Sequence, residues 1–314
     1  MPLCSRKDCA QTARLEKTDG EGVSSLARMN TARSTDGTAI AYETRGEGPP
    51  LILVDGALCY REMGPSRALA KVLSEHFTVI TYDRRGRGES TDTTPYSGER
   101  EIEDLAALIE AAGGSAYICG FSSGAVLALD AAAHGLPITA LALYEPPFIV
   151  DDSRPPAAGD YLEQLNTLLA SNRRGDAVRL FMQQVGMPAP LVSLMRFMPA
   201  WGKLKRVAHT LPYDGEIMDD TQLGRPLPAA RWPGTKVKTL VIVGGKSPAF
   251  FHNGATMLTN LLPNAEHRVL DGQTHMVKAK ALAPVLIDYF ARGRAVSSDR
   301  AERPVLDGLG NAVT

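Results

Sequence analysis

The chain has 314 residues, 44% of them hydrophobic and 22% charged, the makeup of an ordinary globular protein long enough to bury a substantial core. Its 34 basic and 35 acidic residues leave a net charge of −1, so no basic excess argues for nucleic acid or an anionic membrane as a main partner. No apolar run reaches the length of a membrane span or a secretory signal, and a soluble cytoplasmic protein is expected.

Cys4, Cys9, Cys59 and Cys119 are too few and too scattered for a disulfide framework, and no second Cys/His pair completes a zinc site. Cys119, in an apolar run before a glycine, reads as a small buried hydrophobe. Residues 1–28 are polar and lack periodicity, and they read as a disordered extension.

Ordered structure then follows an alternating rhythm. Thr38 to Thr44 is a β-leaning run closed by Gly46 and Gly48. Leu51 to Val54 is fully apolar, as a strand buried on both faces of a parallel sheet must be. A helix around Arg67 to Ser74 precedes the strand Phe77 to Tyr82. Glu99 to Ala112 carries Ile102, Leu105, Leu108 and Ile109 at helical spacing, with acids near its start. The strand Ala116 to Cys119, a tight turn and an alanine-rich helix from Gly124 to Ala133 come next, then the strand Ile138 to Tyr144. Thr239 to Val243 and Arg268 to Leu270 supply two more strands, each trailed by a helix. This alternation predicts an α/β fold with a mostly parallel, doubly wound sheet, whose ligands bind beyond the C-terminal strand ends.

From 148 to 234 the rhythm breaks: prolines and helical pieces such as Tyr161 to Ala170 and Ala177 to Gln184 replace the strands. A stretch of roughly 85 residues is far too long for a simple loop. It reads as an inserted helical cap, leaving 29–147 and 235–293 as the core and 294–314 as a flexible tail. In this cap Phe181, Met182, Met187, Met195, Phe197, Met198 and Trp201 either line an apolar pocket or pack the cap onto the core.

Gly120-Phe121-Ser122-Ser123-Gly124 fits G-x-S-x-G, with an apolar strand before it and a helix after it. A nucleophile at such a turn adopts a strained backbone that lifts its hydroxyl above the sheet. The small residues at both ends let strand and helix pass closely, and the helix start aims free N–H groups where an oxyanion would form. The plainer reading makes Ser122 or Ser123 an ordinary helix N-cap. Of the two, only Ser122 stands two residues from both glycines. Ser123 is better suited to giving a backbone N–H to the oxyanion, and Phe121, beside the nucleophile, to touching substrate.

Four segments in order now resemble the α/β-hydrolase superfamily: Val54-Asp55-Gly56-Ala57, the run Tyr82 to Ser90 (YDRRGRGES), Gly120 to Gly124, and Gln273-Thr274-His275-Met276. The run Tyr82 to Ser90 is similar to the Y-D-x-R-G-x-G-x-S loop of ester- and peroxide-active members. The resemblance covers about Asp36 to Gly293. It implies the α/β-hydrolase fold with a helical cap, and His275 as general base, since this histidine follows the last strand in the order Ser, acid, His. Members often carry the acid after the strand Thr239 to Val243, but Ser247 stands there in this chain. By similarity to a branch that carries it one strand earlier, the acid would be Glu145, in Leu143-Tyr144-Glu145-Pro146-Pro147. A hinge residue paired with an arginine is the bland alternative for Glu145, and Asp271 is the other candidate acid. The other oxyanion donor would be the N–H of Ala57. Relatives commonly have His-Gly before it; here Asp55 replaces the His, and a carboxylate beside an oxyanion is harmful unless it points away or is protonated.

Other chemistries find no support. Gly244-Gly245-Lys246-Ser247 lacks the earlier glycine of a phosphate loop, no G-x-G-x-x-G follows the first strand, and no clustered ligands suggest a metal. A cofactor-independent serine hydrolase acting on a small, apolar acyl substrate is therefore expected, with neither nucleic acid nor membrane as partner. The alternatives are a pocket binder without catalysis, or acyl transfer, cyclisation or C–C hydrolysis at the same site.

Overall fold

The computed structural model describes residues 28–301, with side chains from 28 to 292. The expected extension up to residue 27 and the tail beyond 301 lie outside the described residues. The strands are β1 (Arg28–Arg33), β2 (Ala39–Arg45), β3 (Pro50–Val54), β4 (Thr78–Tyr82), β5 (Ala116–Phe121), β6 (Ile138–Tyr144), β7 (Thr239–Gly244) and β8 (Ala265–Leu270). They form one sheet in the order β1-β2-β4-β3-β5-β6-β7-β8. The pairs β1/β2 and β2/β4 are antiparallel, and every pair from β4 to β8 is parallel.

The sheet is a two-sided core because successive side chains alternate faces. Leu51, Leu53, Leu240 and Ile242 pack towards α1 (Pro65–Leu73). Ile52, Val54, Val241 and Val243 pack on the other side with α2 (Gly98–Ala111) and α3 (Ser123–Ala133). The cysteine at 119 is fully buried among the first set, as its apolar setting predicts.

Between β6 and β7 stand five helices: α4 (Tyr161–Ala170), α5 (Arg174–Gln184), α6 (Ala189–Met195), α7 (Pro199–Val207) and α8 (Leu211–Met218). Their own small core gathers Leu165, Ala177, Val178, Leu204 and Leu211 around Leu58 and Tyr60 of the loop after β3. Phe181, Met182 and Trp201 pack against that core, whereas Phe197 and Met198 are 81% and 53% exposed and do neither job expected of them. The remaining helices are α9 (Ala249–Leu261), packed on the α3 side of the sheet, and α10 (Ala279–Ala301), packed on the α1 side.

Three elements differ from expectation. β1 is mostly exposed and shows no alternation; its partner β2 makes it a strand. β8 begins three residues before the expected run, because an exposed edge strand needs no apolar pattern. α10 continues past Gly293 to Ala301. No helix among the described residues is long and apolar enough to cross a membrane.

Candidate active site

β5 delivers Ser122 at the centre of the sheet, where φ 54 and ψ −126 form a strained turn into α3. The turn depends on its glycines. A Cβ at Gly120 would stand 2.5 Å from the Gly124 carbonyl oxygen, and one at Gly124 would collide with that of Val54. Ser122 occupies the N-cap position of α3 yet makes no capping side-chain bond, so the N-cap alternative does not account for it. The Ser122 N–H donates to the Tyr144 carbonyl at 3.0 Å, tying the turn to the end of β6.

The next residue after β6 is Glu145, also in the left-handed region at φ 47 and 1% exposed. Its Oε2 lies 2.8 Å from His275 Nδ1. Its Oε1 accepts from the Gly244 N–H at 2.7 Å and from Ser247 Oγ at 2.5 Å. The Ser247 hydroxyl therefore supports the Glu145 carboxylate. Glu145 pairs with His275 rather than with an arginine, and Asp271 is exposed.

His275 sits in the loop after β8 and is 40% exposed along its side chain. That loop is anchored by Tyr144, whose hydroxyl donates to the Thr274 carbonyl at 2.6 Å, and by the Lys246 N–H bonded to the Gln273 carbonyl at 2.9 Å. Phe251 of α9 stacks on the imidazole, centroids 4.9 Å apart and planes within 20°. Among the described residues no hydrogen bond joins Ser122 Oγ to His275; the imidazole is held from the Glu145 side and across its face.

Ala57 is half-buried in the loop after β3, and a Cβ on its neighbour Gly56 would lie 2.9 Å from the Ser122 Cβ. Ser123 is the first residue of α3, where backbone N–H groups have no intrahelical acceptor. Both expected oxyanion donors thus belong to segments that meet at Ser122.

Phe121 is 4% exposed and packs in the core, its ring 6.2 Å from that of Tyr144. Phe251 is the aromatic group against the site, and nothing in its local sequence marks it.

Asp55 is turned to the start of α1. Its Oδ1 accepts from Ser66 Oγ at 2.6 Å and from the Ser66 N–H at 3.4 Å, at the start of α1. Burial pushes this carboxyl up to about 6, opposed by the Ser66 bonds and by Arg87 and Arg84. Burial likewise holds the Cys59 thiol up at about 12, well into its neutral form.

The arginines of the loop after β4 form a buried charge network. Arg84 bonds both carboxylate oxygens of Glu101 at 2.6 Å, and its Nη1 donates to Asp214 at 2.7 Å. Arg87 Nη2 donates to the other Asp214 oxygen at 2.6 Å, while its Nη1 donates to the Gly56 carbonyl at 2.7 Å. Ser123 Oγ donates to Asp214 Oδ1 at 2.8 Å. Burial alone would raise the Asp214 carboxyl, but Arg87 and Arg84 outweigh it and hold it low. One carboxylate from α8 thereby fastens the helical insertion to the segments on both sides of Ser122.

A family model described as the alpha/beta hydrolase family matches residues 51–285. The chain belongs to the alpha/beta hydrolase family. An alpha/beta hydrolase from Sphaerobacter thermophilus DSM 20745, known from its crystal structure, is 53% identical, covers 83% of this chain and 100% of its own, and has a TM-score of 0.78. The enol-lactonase from Burkholderia xenovorans LB400 is 22% identical with a TM-score of 0.61, covering 83% of this hydrolase and 100% of its own chain, a likeness of fold alone. An uncharacterized hydrolase of Bacillus subtilis (strain 168), YraK, is 36% identical over 98 residues, 30% of this chain and 35% of that protein. The match thus spans about a third of that curated relative's length. Among the described residues no group of His, Cys, Asp or Glu could hold a metal ion.

Proposed function

We propose that this hydrolase is a cofactor-independent serine hydrolase that cleaves an ester or related acyl substrate through an acyl-enzyme. The observation that carries the reading is the strained Ser122 turn, tied to the end of β6, together with a histidine whose Nδ1 is bonded at 2.8 Å to the buried carboxylate that follows β6. Ser122 Oγ attacks the acyl carbonyl carbon while its proton passes to His275 Nε2. Glu145 fixes the tautomer with the proton on Nδ1 and stabilises the imidazolium that forms. The Ala57 and Ser123 N–H groups receive the oxyanion. Collapse of the tetrahedral intermediate expels the leaving oxygen, which takes the proton from Nε2. Water then attacks the acyl-enzyme, giving its proton to the same nitrogen, and the acid product leaves as Ser122 regains its hydrogen.

The helical insertion serves as a cap over this site, seated on Leu58 and Tyr60 and pinned through Asp214 to Ser123. The two departures from the family pattern, Asp55 and Ser247, both have structural partners. Asp55 is turned to Ser66, and Ser247 donates to Glu145. The test is intact mass after exposure to a fluorophosphonate. One adduct on wild type, absent in Ser122→Ala and slowed in Glu145→Gln, is expected. Folded wild type that takes no adduct would overturn the proposal.

A further inference from the structure

The middle of the helical insertion carries a charge that the balance of the whole chain hides. Between residues 173 and 206 the sequence holds seven Lys or Arg and one acid, against a net −1 overall. Arg173, Arg174, Arg179, Arg196, Lys205 and Arg206 line a cleft of about 650 Å³ formed by α5, α6 and α7. Asp176 is the one carboxylate in the lining, 2.8 Å from Arg173 and 3.5 Å from Arg179. Six cations less one carboxylate leave the cleft near +5.

The other face of α6 is apolar and open to water. Leu191, Leu194, Phe197 and Met198 are 47%, 65%, 81% and 53% exposed, four of the ten large apolar side chains so exposed among the described residues. Leu191 and Leu194, three residues apart, share one side of α6, and Phe197 and Met198 follow in the turn between α6 and α7. Val192, Ser193 and Arg196 of the same segment turn to the cleft. The two surfaces meet where the Arg196 guanidinium lies 5.8 Å over the Phe197 ring. A cluster of this kind is rare on a surface that contacts only water.

We propose that this face docks on the surface of an anionic phospholipid bilayer, with the apolar ridge in the headgroup–acyl boundary and the cleft cations on lipid phosphates. An anionic bilayer satisfies both halves of the surface at once. A nucleic acid or a free organic phosphate would use the cations and leave the ridge in water, and a purely apolar protein face would strand the charge. Docking bears directly on the candidate site, because the inner faces of α5 and α7 pack through Ala177, Val178, Leu204 and Val207 on the loop that carries Ala57.

The test is sedimentation of the full chain with vesicles of phosphatidylcholine, alone and mixed equally with phosphatidylglycerol. Binding to the mixed vesicles that salt reverses, with little binding to phosphatidylcholine, is expected. Replacing Arg179, Arg196 and Lys205 by Gln should lower partitioning about a hundredfold, since each basic residue near an anionic surface contributes about fivefold. Leu194→Ser with Phe197→Ser should cost about tenfold or more while the residual binding stays salt-sensitive. All five positions lie at the surface of the insertion, and circular dichroism checks that the variants fold. Absence of binding to the mixed vesicles overturns the proposal. So does saturable binding of soluble glycerol phosphate that displaces the protein from vesicles, which would make the cleft a small-anion site. A dimer that Leu194→Ser with Phe197→Ser dissolves would assign the ridge to a second copy instead. The readout is partitioning, so Ser122→Ala should bind as wild type does, and failure here is separate from failure of the hydrolase reading.

Discussion

Asp55 carries a pH dependence that a single substitution isolates. Its carboxyl stands at about 6 against an ordinary 3.8, chiefly through burial. A group raised on folding contributes fully below its unfolded value and loses that contribution as pH rises through its folded value. Between about pH 4 and 6 the folded protein keeps a proton that the unfolded chain releases; above about 6 the folded state must bury a charge. A difference of this size corresponds to about 3 kcal/mol at pH 8. Asp55→Asn keeps the acceptor for Ser66 and removes the charge. The variant should therefore exceed wild type by only about 1 kcal/mol at pH 4.5 and by about 3 kcal/mol at pH 8, the latter roughly 5 °C in thermal midpoint for a chain of this size. The assay is thermal unfolding by circular dichroism at the two pH values, comparing the difference between proteins, because Asp104, also raised to about 6 by burial, titrates in the same window in both. A variant less stable than wild type at pH 8, or equally displaced at both pH values, would refute the reasoning and mean that the ionised carboxylate is held by Arg84, Arg87 and Ser66 at a net gain.

Further outcomes follow from the same geometry. Glu145→Gln retains an acceptor for Gly244 and Ser247 but loses the charge facing His275, so ester turnover should fall about 10⁴-fold with unfolding little changed. Ser247→Ala removes one of two donors to Oε1 and should cost about tenfold in kcat, the lower end of the about 1.5–3 kcal/mol for a hydrogen bond to a charged group. Asp214→Asn leaves Arg87, 0% exposed along its side chain, without a carboxylate; the urea midpoint should drop by the equivalent of about 3–5 kcal/mol. Gly124→Ala pushes a methyl group into the Val54 and Asp55 carbonyls and should destabilise by about 3 kcal/mol, seen in the same urea titration.

How much of the molecule is legible in its sequence follows from how each feature is encoded. Leu51–Val54 and Thr239–Val243 announce themselves because a strand buried on both faces has no room for polar residues. β1 and most of β8 are silent because an exposed edge is specified by its neighbour's hydrogen bonds rather than by its own side chains. The Ser122 turn is local, so strand, glycines and helix write it within ten residues. The contacts that complete the site are not local. Ser123 meets Asp214 ninety-one positions away, and Phe251 reaches His275 from a different element. Neither leaves a pattern in a single sequence. Asp55 is readable only as an anomaly, since its partner Ser66 lies on α1 and local spacing does not show which way the carboxylate turns.

The placement of Glu145 at the end of β6, with Ser247 beyond β7, follows from the spacing of a parallel sheet. Tyr144 and Ile242 are register partners, and the Glu145 N–H donates to the Ile242 carbonyl at 3.0 Å. The ends of the two strands are therefore about 4.8 Å apart, less than the reach of a glutamate side chain. A carboxylate starting from either end can address the same imidazole nitrogen, provided that the empty end offers a donor and not another charge. Ser247 is such a donor, at 2.5 Å. The Gly244 N–H supplies another, at 2.7 Å. An aspartate at 247 would set two carboxylates against each other in a dry pocket and force one to take a proton. Serine at 247 and glutamate at 145 are thus one arrangement, in which the hydroxyl supports the carboxylate that a second acid would oppose.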